Sequence, residues 1–253
     1  MVGCSRFPVK SMQGLAVDRL TVGPSGVAGD RQRALFTVPD GSLLSAKQRG
    51  ELLTAAADDD GITLPDDRRV AFDAPEVDDV LSDWLGTAVR LDGPTPGVAP
   101  TYKMTFDPPD DGAELVDIPA LEGTVLDVAP IHLLTTATLD GARAAYPDLD
   151  WDVRRFRPNL LLDVDGPPLV EDGWVGRSVA IGDHAVLHID QPTIRCAMPL
   201  RAQPGLDREV GLFQAMTDFN VDFPYHFGSY VSVVEPGPVA IGDPVTVLGS
   251  PGG

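Results

Sequence analysis

At 253 residues, 43% of them hydrophobic and 23% charged, the chain has the composition of a folded protein with one large core or two smaller ones, not of a disordered one. Nineteen basic against 38 acidic residues give a formal net charge of −19, which argues against nucleic acid or an anionic membrane as a stable partner. Two cysteines and four histidines exclude a disulfide framework, a four-cysteine iron–sulfur centre and a spaced zinc cluster within the chain. No apolar run approaches the roughly 18 residues that span a bilayer, and Met1 to Pro8 lacks the layout of a signal peptide, so the expected compartment is the cytoplasm. Lysine occurs only at Lys10, Lys47 and Lys103, a bias that suits either a salty cytoplasm or GC-rich coding.

In chain order, Leu35 to Val38 and Arg69 to Phe72 read as strands, and Val77 to Leu85 as a helix that stops at Gly86. Ala88 to Leu91 is a further strand. Asp107-Pro108-Pro109-Asp110-Asp111-Gly112 has linker composition, but Pro119 to Gly123 is an equally good break, and the boundary is placed near residue 120. Thr138 to Tyr146 reads as a helix with Thr135 or Thr136 as N-cap and Pro147 as its stop. Strands follow at Leu160 to Asp163, Ser178 to Ile181 and Ala185 to Ile189, the last two joined by a Gly182-Asp183 turn. A helix is expected within Leu206 to Phe219, and strands at Tyr230 to Val234 and Val245 to Leu248, with a turn at Gly242-Asp243. The fold class is mainly β with short helices, α+β.

Cys196, in Thr193-Ile194-Arg195-Cys196-Ala197-Met198-Pro199, carries the chemistry most directly. A neighbouring guanidinium favours the thiolate, the form that binds soft metals or carries sulfur. A free cysteine is otherwise a small buried hydrophobe, and a Cys4–Cys196 bridge is not expected in a reducing cytoplasm. Other positive charges sit in short polar motifs: Phe7-Pro8-Val9-Lys10-Ser11, Gly29-Asp30-Arg31 and Phe156-Arg157-Pro158-Asn159. Lys, Ser, Arg and Asn are side chains that hold phosphate, Arg with bidentate geometry. Each motif alone reads equally as solvated surface charge; the set acquires meaning only if it converges.

Together with Phe227-Gly228-Ser229-Tyr230, Glu235-Pro236-Gly237 and Ile241-Gly242-Asp243, these motifs resemble the MOSC family along essentially the whole chain. The resemblance implies an N-terminal β-barrel domain over 1–120 packed on a C-terminal MOSC β-barrel domain over 121–253. Within the family the likeness is to the amidoxime-reducing members, mitochondrial and bacterial. It implies a molybdenum–molybdopterin cofactor with Cys196 as the metal ligand and catalytic residue. Lys10, Ser11, Arg31, Arg157, Asn159, Arg195 and Tyr230 are then cofactor contacts, as is Thr138, where the family has a serine at a helix start. The activity implied is reduction of N-hydroxylated small molecules with electrons from a separate donor protein. The alternative is a sulfur carrier with a Cys196 persulfide, or a cofactor-handling protein without turnover.

The chain departs from the pattern in places. Ile194 stands where the amidoxime reducers have a serine, and Ser45-Ala46-Lys47-Gln48-Arg49 matches only loosely, leaving Lys47 and Arg49 as lesser candidates. Neither a ferredoxin-like extension nor a pyridoxal-phosphate domain is evident, so sulfurase activity of the two-domain kind is not expected. His132, His184 and His188 read as structural, and so does His226, with an approach to the substrate side of the metal as its lesser alternative; Trp151 and Trp174 read as packing residues.

Overall fold

Residues 1–249, the part described by a computed structural model, form sheets of eight, five, three and three strands with short helices between them. The last four positions of the expected C-terminal unit lie outside the described residues. No described helix is long and apolar enough to cross a membrane.

The eight-stranded sheet runs in the order Val245–Val247, Ser178–Ile181, Ala185–Ile194, His226–Glu235, Ile131–Thr135, Leu160–Leu162, Gly3–Arg6 and Leu15–Val17. All neighbours are antiparallel except Ile131–Thr135 with Leu160–Leu162. A parallel pair needs a crossover, and the helices Thr136–Ala145 and Val153–Phe156 provide it. Thr135 starts the first of these, its Oγ1 accepting from the Thr138 N–H at 3.2 Å. The sheet ends on two three-residue strands that do not pair with each other, so the expected closed barrels are not formed by this set of pairings. Alternating apolar residues license a half-buried sheet, but closure depends on tilt and register, which alternation does not encode.

The five-stranded sheet gathers Val89–Asp92, Ala34–Thr37, Leu43–Leu44, Thr101–Met104 and Val116–Pro119. Asp107 to Gly112 is the connection of the antiparallel pair Thr101–Met104 and Val116–Pro119, because hairpin loops and linkers share a Pro/Asp/Gly composition. The helix Val77–Leu85 matches its expected bounds and ends on Gly86, which takes a left-handed φ of 61°. The later helix, Gly211–Phe219, lies within its expected span of Leu206 to Phe219.

The first residues are sewn into the large sheet, with Cys4 opposite Leu160, and Gly237–Ala240 pairs with Arg19–Gly23. One apolar core accordingly joins Cys4, Leu20 and Val22 to Leu133, Leu187 and Val231. We propose that the 1–120 and 121–253 units divide the sequence without dividing this sheet. Trp174 belongs to that core, and Trp151 to a second one under the helices, stacked on Phe156 with ring centroids 6.0 Å apart.

Gly228 fixes the sheet beside the site. Its φ is 79°, and a Cβ there would lie 2.5 Å from His132 Nε2 and 2.7 Å from the Leu133 carbonyl. Backbone strain and collision add, so Gly228→Ala should lower stability by about 2 kcal/mol, visible as a drop in urea midpoint. An unchanged midpoint would show that the strand backbone yields freely.

Candidate anion and thiolate site

Antiparallel pairing of Gly3–Arg6 with Leu160–Leu162 places the end of the first strand beside the start of the second. The Phe7–Ser11 and Phe156–Asn159 segments therefore meet, although some 150 residues separate them. His132 enters at the same end, its backbone N–H donating to Asn159 Oδ1 at 3.1 Å. The long strand Ala185–Ile194 reaches this end through register shifts at Ile189/Gln191 and Pro192/Ile194. Such bulges redirect a strand, and here Arg195 and Cys196 follow the second one. The Arg195 N–H donates to the Tyr225 carbonyl at 2.7 Å.

One cavity results. From the first half of the chain it is lined by Lys10, Ser11 and Arg31, and from the second by Arg157, Asn159, Arg195, Cys196 and Tyr230. Eight of the nine expected site residues thus share a single space. Among the described residues six non-glycine positions have a positive φ, and Ser11 (68°), Arg31 (46°) and Arg157 (55°) are three of them. Conformations of this kind cost energy and persist where surrounding structure holds them, commonly at functional sites.

The electrostatics invert those of the whole molecule. Five cationic side chains, those of Lys10, Arg31, Lys47, Arg157 and Arg195, gather around two carboxylates, Asp30 and Asp127. Asp127 bridges the two lysines, accepting from Lys10 Nζ and from Lys47 Nζ at 2.6 Å each, while Lys10 also donates to the Val125 carbonyl at 2.6 Å. Arg31 pairs with Asp30 and reaches Asn159 Oδ1 at 3.4 Å. Arg157 and Arg31 lie over the Phe7 ring, 4.1 and 5.0 Å from its centroid. The buried nitrogens Arg157 Nη2, Arg195 Nε and His132 Nε2 have no partner within the protein.

Burial, with Arg31 close by, pushes the Arg157 guanidinium down to about 9, and burial pushes Lys10 down to about 8 against the pull of Asp127. Desolvation also lowers Arg195, holds His132 well below its ordinary value, and raises the Tyr230 phenol to about 12. The two lysines keep Asp127 ionised despite its desolvation. A bound anion stabilises the protonated forms of Lys10 and Arg157, so its affinity falls as pH rises through their free-protein values. Sulfate, which does not itself titrate in this range, should bind evenly from pH 6 to 7 and roughly tenfold more weakly by pH 9.5 in calorimetric titration. A flat profile would contradict the cation cluster as the anion-holding element.

Thr138 lies elsewhere. Fully buried, it donates from Oγ1 to Glu171 Oε2 at 2.6 Å and accepts from the Leu169 N–H at 2.8 Å. Its hydroxyl is thus consumed in a buried cluster with Thr135 and Glu171 and does not line the cavity. His226 is also outside the cavity, its Nδ1 lying 2.8 Å from the Pro224 carbonyl oxygen. Arg49 is engaged by Glu51 and the Leu85 carbonyl, whereas its neighbour Lys47 is part of the site. His132, read from sequence as structural, lines the cavity. Asp127 was missed, although one carboxylate in the apolar run from Val125 to Ile131 is the pattern of a charge that must find a buried partner.

The donor set fits an anionic group, with unpartnered Arg nitrogens available to phosphate oxygens. Cys196, half-buried and free, is a soft donor beside them. Among the described residues no three His, Cys, Asp or Glu side chains converge to hold a metal. A metal seated here would take one thiolate from the protein and its remaining donors from a cofactor.

Residues 1–90 match the MOSC N-terminal beta barrel domain and residues 121–246 the MOSC domain. Among solved structures, the YuaD protein from Bacillus subtilis is similar, at 12% identity over 96% of this chain and 91% of its own, with a TM-score of 0.44. YiiM from Geobacillus stearothermophilus is 14% identical over 61% of this chain and 75% of its own, with a TM-score of 0.36. YiiM from Escherichia coli is 16% identical over 55% and 66%, also at 0.36. No curated protein matches the sequence. The two domain matches cover most of the chain, which belongs to the MOSC family, associated with molybdenum-cofactor binding and with sulfur-carrier activity.

Proposed function

We propose that the protein is a molybdenum-dependent oxidoreductase that holds a molybdopterin cofactor in this cavity and reduces N-hydroxylated small molecules. The observation that carries the proposal is the convergence of one accessible thiol with four cations that line the cavity and Lys47 behind Asp127, in a strongly acidic protein. When bound, the cofactor supplies two-electron oxygen-atom chemistry, and the protein supplies binding, orientation and electrostatics.

Cys196 anchors the metal through its sulfur. Arg157 and Arg195, which have donors free, take phosphate or other anionic oxygens, and Lys10 and Arg31 extend the same field. Ser11 Oγ is fixed by accepting the Ala46 N–H at 3.0 Å, which leaves its own proton to donate into the cavity. Asn159, holding Ser5, His132 and Arg31 together, keeps the two halves of the site in register. Tyr230, its phenol kept protonated, is a donor at the wall of the cavity. Electrons come from a separate protein.

The test is reduction of benzamidoxime by cofactor-loaded protein with a chemically reduced viologen as donor. Conversion to benzamidine that depends on molybdenum is expected; loaded protein with no conversion would sink the reductase assignment. A second reading, a sulfur carrier, draws on the exposure of Cys196 within a cationic setting that favours a persulfide anion. Intact-mass detection of one added sulfur on Cys196, in protein that takes up no metal, would favour it.

A further inference from the structure

The cavity is lined by polar and by apolar side chains. The buried cations Lys10 and Arg157 are its floor, and Val128, Ile194 and Met198 are apolar members of the same lining. Val128 and Ile194 are 39% and 54% exposed, large aliphatic side chains left in water at the edge of a polar cavity. Apolar surface placed there gains nothing in the free protein and favours a ligand that covers it.

The turn that leads into the strand His226–Glu235 lies alongside this edge of the cavity. Ile194 is opposite His226, and the carbonyl of Tyr225 is tied to the N–H of Arg195. Tyr225, 40% exposed, is held at a φ of 67° with its ring stacked on Phe213, centroids 4.7 Å apart. A tyrosine fixed in this way is a rigid apolar face that loses little freedom when it is covered.

Resting on the reading of the cavity as the reaction centre, we propose that Val128, Ile194 and Tyr225 form a substrate shelf. It takes the flat aromatic body of a neutral substrate whose polar N–O end is turned toward Cys196. A strip of three side chains suits a small molecule, whereas a protein partner needs roughly 800 Å² on each side. The cationic floor disfavours positively charged substrates, which selects for the neutral form at the point of entry.

Two probes share the reacting group and differ in body: benzamidoxime, with a phenyl ring, and acetamidoxime, with a methyl group. In cofactor-loaded protein, Ile194→Ala and Tyr225→Ala should each lower kcat/KM for benzamidoxime roughly tenfold, through KM, and leave acetamidoxime unchanged. Equal losses for both probes, or none for either, would overturn the shelf. Both side chains are substantially exposed, so the variants should fold, and either suffices if the other does not. Direct binding separates this proposal from the reductase reading. If the wild type binds benzamidoxime without reducing it, and the variants bind it about tenfold more weakly, the shelf stands and the reductase assignment falls. If the wild type does not bind it, or the variants bind it equally well, the shelf is refuted.

Discussion

Cys196→Ala is expected to lose bound molybdenum and to reduce benzamidoxime at the background rate. Changing residues that merely orient a metal's ligands costs about 10–100-fold in affinity or activity. Removing the one soft donor that the protein contributes should exceed that range. Among the described residues no other His, Cys, Asp or Glu cluster can substitute for it, and Cys4, the second thiol, is buried in the core against Met1. Burial raises the Cys4 thiol to about 11, so it remains protonated at neutral pH and is a poor replacement. Cys196→Ser is the sharper form of the same test, because it keeps the volume and offers only a hard oxygen.

Arg157→Met should do two opposite things. In ligand-free protein, Arg157 is a buried cation with Arg31 and Arg195 near it and one nitrogen without a partner. Methionine keeps the apolar stem on Phe7 and removes the uncompensated charge. Replacing buried charge by apolar atoms often stabilises by 1–4 kcal/mol, and the lost cation–π contact takes back part of that. A net gain of about 1 kcal/mol is expected. The sign with pH follows from the folded value of about 9 against an ordinary 12.5. Both wild-type states carry the proton at pH 7, so the penalty is fully present there and fades as pH rises through 9. Cofactor or pyrophosphate affinity should meanwhile fall about 100-fold, as a charge-assisted bidentate donor worth roughly 3 kcal/mol disappears. Loss of stability together with unchanged binding would mean that Arg157 is a structural residue.

Local features of the fold were readable because they depend on neighbours in sequence. The helix Val77–Leu85 and the strand Ser178–Ile181 carry their own periodicity and their own stop signals at Gly86 and Gly182. The strands Ala185–Ile194 and His226–Glu235 are longer than their alternation indicates, since Asp190 to Pro192 interrupt the pattern and bulges absorb the interruption. The motifs of the site were readable one by one, but their meeting was not. It follows from pairing Cys4 with Leu160 and His132 with Tyr230, contacts for which short-range spacing gives no signal. Thr138 shows the opposite failure. A hydroxyl at a helix start is a good anion donor by position, yet Glu171 lies 33 residues away and captures it. Asp127 became visible only through its pairing with Lys47, a lesser candidate in the sequence, whose burial it accounts for.

In the function proposed for the protein, Cys196 and the cations around it hold a molybdenum–pterin cofactor. The most direct measurement is molybdenum and pterin content of the full chain purified from a host that makes the cofactor and is supplied with molybdate. About one molybdenum and one pterin per wild-type chain are expected, with little of either in Cys196→Ala. Wild-type protein from that host carrying neither, or Cys196→Ala retaining both with full activity, would contradict it.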